Sequence, residues 1–141
     1  MLKNLFKKKR TENSNDENIL VAALLIHAAK IDENYTDVER KIVKTAIMEL
    51  NKSDEDEAEK LLHLAEKKEE ESNQIVEFTK EIKKYKMGFR LKVIEIIWKI
   101  VYSDGTSDSY ESNLIRRICG LLYVSDKDNG IIKTKVKNSL L

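Results

Sequence analysis

The sequence predicts an all-α single domain, a bundle of about seven helices built from two pseudo-symmetric halves. Each half is a helix, an acidic turn and a second helix. Three observations carry this expectation. First, the 141 residues include no Pro and only four Gly, a composition that favours helix and leaves little turn chemistry for a sheet. Second, Ile19–Ile31 and Leu91–Tyr102 are apolar around most of a helical circumference, as helices buried on most sides are. Third, each of these stretches runs into a turn in which an Asp precedes a Glu by seven residues: Asp32 and Glu39, then Asp104 and Glu111. Laying Asp32 on Asp104 also lays Leu24-Leu25-Ile26 on Ile96-Ile97-Trp98 without a gap. Two copies of such a repeat are too few for a solenoid, so the halves are expected to share one globule.

Taken in order, Met1–Arg10 combines Leu2, Leu5 and Phe6 with five basic residues. It reads as a frayed basic tail, or as a short amphipathic segment in weak peripheral contact with an anionic membrane. The polar linker Thr11–Asp16 joins it to the domain. The division expected is residues 1–15 as disordered tail and linker and 16–141 as the helical domain. The first helix, residues 16–31, carries His27, read as a hydrogen-bonded core side chain because no second His or Cys stands at ligand spacing. Thr36 and Glu39 form a capping box for the second helix, whose apolar positions are Val38, Ile42, Val43, Ala46, Ile47 and Leu50. Ser53–Asp56 caps the third, whose inward stripe is Ala58, Leu61, Leu62 and Ala65. His63 reads as a partly buried packing residue, and Glu66–Glu71 as a solvated face.

Asn73 is expected to cap a fourth helix, with Ile75, Phe78, Thr79, Ile82 and Tyr85 inward and Met87-Gly88 closing it. The fifth helix stops at Ser103-Asp104-Gly105. Asp108 and Glu111 open the sixth as an Asp-led capping box. Ser125–Asp128 caps the last helix, whose apolar positions are Ile131, Ile132 and Val136. Short connections should set sequence neighbours antiparallel.

The composition also narrows the function classes. Net charge is +1 although 36% of residues are charged; a nucleic-acid binder would need a net basic face. The single Cys119 cannot form an internal disulfide and lies in an apolar run, which fits an inert thiol in a reducing compartment. No apolar run approaches the roughly 18 residues of a membrane-spanning helix, and no signal region follows the basic start. The expected location is therefore cytoplasmic. No nucleophile–base pair, Gly-rich phosphate loop or His pair is visible.

The distinctive chemistry is the doubled acidic turn. An Asp, intervening oxygen donors and a Glu are the ligand types a hard cation takes, although the spacing is not that of an EF-hand. The same carboxylates could act only as helix caps. Two segments bring a known family into view: FRLKVIEIIWKIVYSDGTSDSYESNLIRRICGLLYVSDKD, and LLIHAAKIDENYTDVERKIVKTAIMEL with EKKEEESNQIVEFTKEI after it. Together they resemble the TerB-like family of tellurite-resistance proteins, especially its small stand-alone bacterial members. A related domain precedes the J-domain of a membrane-linked DnaJ-like co-chaperone. The resemblance implies an all-helical fold with two halves and metal-binding acidic turns at Asp104, Glu111, Asp32 and Glu39. Glu33-Asn34 follows Asp32 where the family pattern prefers Gly, which costs the first turn its easy left-handed residue.

The leading expectation is a non-enzymatic metal-binding or sensing module in a bacterial stress response, with a divalent cation (Ca, Mg, Mn or Zn) held by the acidic turns. The alternative is a metal-free helical protein-interaction adaptor, which the basic amphipathic start would place at the membrane surface. A paired-carboxylate hydrolase using Glu39 and Glu111 would require the fold to bring the two together.

Overall fold

The computed structural model describes residues 17–31, 35–72, 74–103 and 109–139, with the side chains of 109–112 outside the description. Among the described residues there are seven helices and no strand. They are α1 (residues 17–29), α2 (Asp37–Asn51), α3 (Glu55–Glu71), α4 (Val76–Ile82), α5 (Met87–Tyr102), α6 (Ser109–Leu121) and α7 (Asp126–Ser139). The all-helical bundle expected from composition and periodicity is the observed one.

Helices α1 and α5 form its centre. Val21 through Ile26, Ala28 and Ala29 are all buried on α1, and Val93, Ile94, Ile96, Ile97, Trp98, Ile100 and Val101 on α5. A helix apolar around most of its circumference must be covered on most sides, and the five others do that, leaving Lys99 of α5 exposed. Helix α7 lies along α5 and α3 along α2, while α6 contacts α4, α5 and α7. Trp98 fixes the α5–α7 pairing. Its indole Nε1 donates to Asn129 Oδ1 at 2.9 Å, its ring stacks on Tyr102, and Lys133 Nζ sits 5.1 Å from the ring centroid.

The shift of 72 residues that lays Asp32 on Asp104 lays α1 on α5, α2 on α6 and α3 on α7. The repeat thus extends to three helices per half, and α4 is the connector. Helix ends follow local chemistry. Lys52, with φ 52°, and Tyr123, with φ 57°, take left-handed backbone after α2 and α6. Each is followed by an amide that returns to the helix: Ser53 N to Met48 O at 3.3 Å and Val124 N to Cys119 O at 2.9 Å. The Arg90 guanidinium donates to Tyr85 O at 3.0 Å and Leu122 O at 2.7 Å, tying the α4–α5 turn to the end of α6.

Several local expectations are corrected. Helix α4 ends at Ile82, and Met87 and Gly88 open α5 instead of closing α4. Ile75 is the N-cap of α4, without a side-chain cap bond; Asn73 lies outside the described residues. Asp54 caps α3 by accepting Glu57 N at 2.8 Å, and Ser125 Oγ accepts Asp128 N at 3.1 Å. Val38 is 59% exposed, because the face of α2 that meets the core is set by Val43, Ala46 and Ile47. His63, 71% exposed, faces solvent rather than the core, because the inward stripe of α3 passes through Ala58, Leu62 and Ala65. Cys119 is buried, and desolvation followed by the nearby Asp126 charge pushes its thiol up to about 12, so it stays protonated and unreactive at neutral pH.

This packing predicts a contrast between two apolar truncations. Ile97→Ala should lower unfolding free energy by about 2–5 kcal/mol through lost burial and the cavity left behind. Val38→Ala should stay within about 0.5 kcal/mol. Chemical denaturation of both variants measures the difference.

Candidate functional site

The first acidic turn is built from Thr36 upward. Thr36 takes extended backbone, φ −84° and ψ 162°, and its Oγ1 accepts Glu39 N at 3.1 Å. In return Glu39 Oε1 accepts both the Thr36 amide and the Thr36 hydroxyl, each at 3.0 Å. The capping box read from the sequence is present in both directions. Glu39 is only 5% exposed. A carboxylate at that depth needs compensation, and the two hydrogen bonds and the positive end of α2 supply part of it.

Tyr35 sits next to it. Its hydroxyl oxygen is shielded from solvent and has no hydrogen-bond partner among the described residues. Burial first, then the Glu66 carboxylate, pushes the phenol well above its ordinary range; Glu39 adds to this and Arg40 opposes it. Lys30 Nζ lies 5.8 Å from the Tyr35 ring centroid and 2.8 Å from Glu69 Oε2, while His27 Nδ1 lies 3.3 Å from Glu69 Oε1. Glu69, 10% exposed, therefore holds the end of α1 against α3.

A second cluster fastens α2 to α3. Arg40 Nη2 meets Glu59 Oε1 at 2.6 Å and Glu66 Oε1 at 3.2 Å, and Lys44 Nζ meets Glu59 Oε2 at 3.0 Å and Glu55 Oε1 at 3.2 Å. Hydrogen bonds from Arg40 and Lys44 draw the Glu59 carboxyl down to about 2, and the same bonds raise the Arg40 and Lys44 pKa values. His63 adds a contact to Glu59 at 3.4 Å from the exposed side.

Sequence reading assigned Glu66–Glu71 to a solvated face, and missed that Glu66 and Glu69 face α2 and α1. The signal was present: Glu69 stands seven after Leu62 and four after Ala65, and so continues their inward stripe.

Of the four carboxylates expected to hold a cation, only Glu39 has a described side chain. Asp32 and Asp104 lie outside the described residues, as do Gly105 and Asp108; Glu111 lies in the first turn of α6, its side chain outside the description. Residues flanking the two turns share a cleft. Ile31, immediately before Asp32, and Asn113, two after Glu111, line one cleft of about 440 Å³ with Leu114 and Arg117. In donor type, Glu39 fits a hard cation, an anionic oxygen fixed by its own turn. Among the described residues no group of three or more His, Cys, Asp and Glu side chains is arranged to hold a metal.

A family model described as tellurite resistance protein TerB matches residues 18–134. No curated protein and no solved structure matches the chain.

Two outcomes follow from the turn and its flanking charges. Thr36→Ala should cost about 0.5–2 kcal/mol, with Thr36→Ser closer to wild type, because only a side-chain oxygen can accept the Glu39 amide; urea unfolding measures it. Glu59, with its folded pKa depressed, adds stability above the ordinary carboxylate range that is lost as pH falls from about 4.5 towards about 2. Thermal melts should accordingly show Glu59→Gln less stable than wild type at pH 7, converging with it near pH 2, and less penalised in high salt.

Proposed function

The chain belongs to the TerB family, its match spanning residues 18–134, and on that premise we propose that it is a non-enzymatic module that binds a divalent cation at its acidic turns. Asp32 and Glu39 would hold it in the first half, and Asp104 and Glu111 in the second. The biological setting we infer is a bacterial stress response of the tellurite-resistance kind. The observation that carries the reading is Glu39: a carboxylate buried to 5% exposure and locked by Thr36 in a turn otherwise rich in oxygen donors. Locking a ligand before binding lowers the ordering cost of binding. A bound cation would supply the positive charge that offsets repulsion between the carboxylates of one turn.

The charged belt has a part in this reading. Glu69 anchors the end of α1, and Arg40 with Glu59 and Glu66 anchors the start of α2. These contacts hold the two helices on either side of the first turn. A second reading, a helical adaptor, has its own support in exposed apolar side chains, Leu64 on α3 and Ile131 on α7. No helix among the described residues is long and apolar enough to cross a membrane.

Titration with Ca²⁺, Mg²⁺, Mn²⁺ and Zn²⁺, followed by calorimetry and by NMR shifts, should give saturable binding with shifts at Asp32, Glu39, Asp104 and Glu111. Absence of those shifts at millimolar metal would sink the proposal. Melting of Asp104→Asn separates ligand from cap. With a cation at about a hundred times its Kd, bound metal adds about 2.7 kcal/mol to wild type, so the mutant should melt lower in metal and not in chelator. If Asp104 only sits at the negative end of α5, its neutralisation should leave stability equal or slightly higher.

A further inference from the structure

We propose that the exposed side of α3, with Ile19 of α1 beside it, is the interface of a homodimer in which α3 packs antiparallel against α3 of a second copy. The face lies apart from the acidic turns, and the inference goes beyond the cation reading without resting on it.

The interface is one stripe of α3. Glu57, Leu61, Leu64, Lys68 and Glu71 follow one another at alternating intervals of four and three residues, which sets them in line along one side of the helix. Glu59 and Glu66 lie on another side, engaged by Arg40 and Lys44 of α2. Leu64 is 55% exposed at the middle of the stripe. Two grooves that share Leu64 and Ile19 open on either side of it. One, of about 470 Å³, holds Glu57, Lys60 and Leu61; the other, of about 540 Å³, holds Leu20, Lys67, Lys68 and Glu71. Glu57, Lys67, Lys68 and Glu71 are exposed, and no ion pair among the described residues engages them. An apolar ridge thus stands between two grooves, with unpaired charges of both signs at its ends.

The order of the charges selects the occupant. Along the stripe it runs acid, Leu, Leu, base, acid. Such a surface suits no uniformly charged partner, because Glu57 and Glu71 repel an anionic one and Lys67 and Lys68 a cationic one; it suits a surface of alternating sign. A second copy supplies that surface in one orientation. A parallel pair would set Glu57 on Glu57, Lys68 on Lys68 and Glu71 on Glu71, like on like throughout. An antiparallel pair with its two-fold axis between Leu61 and Leu64 sets Leu61 of each copy on Leu64 of the other. It also sets Glu57 of each copy against Lys67 and Lys68 of the other. Every contact then occurs twice, and the association closes at two copies. Each Leu64 enters the groove that Leu61 and Ile19 of the other copy line, so both leave water. Asp54 and Glu71 face each other at the ends of this pairing and weaken it.

Sedimentation velocity of the full chain in buffer with chelator, from micromolar to millimolar concentration, tests this. The expected result is a reversible monomer–dimer equilibrium, weakened several-fold by raised salt. Leu64→Glu should leave only monomer. Glu57→Lys should weaken the dimer several-fold by gathering lysines, and so should Lys67→Glu with Lys68→Glu by gathering acids. All three changes in one chain restore opposite signs and should restore the dimer, a rescue that damage to the fold would not give. Glu71→Gln should strengthen association. Wild type that stays monomeric up to millimolar concentration would overturn the proposal, and so would assembly beyond two copies. A dimer undiminished by Leu64→Glu, with melting at micromolar concentration showing that the variant is folded, would place the interface elsewhere and overturn it. Failure of the combined charge swap to restore association would overturn the antiparallel pairing and the proposal with it.

Discussion

Two helices that are apolar around most of their circumference, α1 and α5, impose the constraint on which the rest of the molecule depends. Neither can rest on a surface by one face; each must be covered on most sides. In a chain of this size that leaves one arrangement of economy, with the two central helices inside and the amphipathic α2, α3, α4, α6 and α7 around them. Fully buried side chains such as Leu24, Leu25, Ile26, Ile94 and Ile97 come from the central pair, while the outer helices contribute single stripes such as Leu62 and Ile118. Removing such apolar area from water at roughly 25 cal/mol per Å² is the driving term. The twofold sequence repeat makes the solution self-consistent, because each half supplies one central helix and two that cover.

The same constraint explains where the polar chemistry sits. A chain leaving a buried helix must reach the surface within a few residues, and in the sequence an acidic turn follows directly on each central helix. At the first exit a capping box was needed anyway to satisfy the amides of α2, and Glu39 supplies it. Its burial is a consequence of starting a helix so near the core. The turn is therefore both a structural terminus and a held carboxylate, and a capping role and a ligand role draw on the same geometry.

Charge is separated within the outer layer. The paired side of α3 is consumed in binding α2 and α1, through Glu59, Glu66 and Glu69. Its lysines are left over on the solvent side, beside Leu64. A near-neutral net charge thus conceals two differently charged sides of one helix. The family match begins inside α1 and ends inside α7, and so does not cover the basic segment before α1.

The sequence by itself determined the helical class, the two central helices, the repeat and the Thr36–Glu39 box, because those rest on local period and on capping chemistry within four residues. It read His63 as partly buried and closed α4 at Met87-Gly88. Those were tertiary decisions: at a stripe's edge the period cannot say which neighbour is covered, and Gly is tolerated in a first helical turn. It also took Glu66 and Glu69 for solvated charges. Only packing could reveal that Arg40, 26 residues before Glu66 and on another helix, would meet Glu66, and that His27 and Lys30, on and just after a third, would meet Glu69. Ion pairs between helices depend on which faces the core forces together, and a stripe that reads as polar in isolation becomes interior once two other helices lie against it.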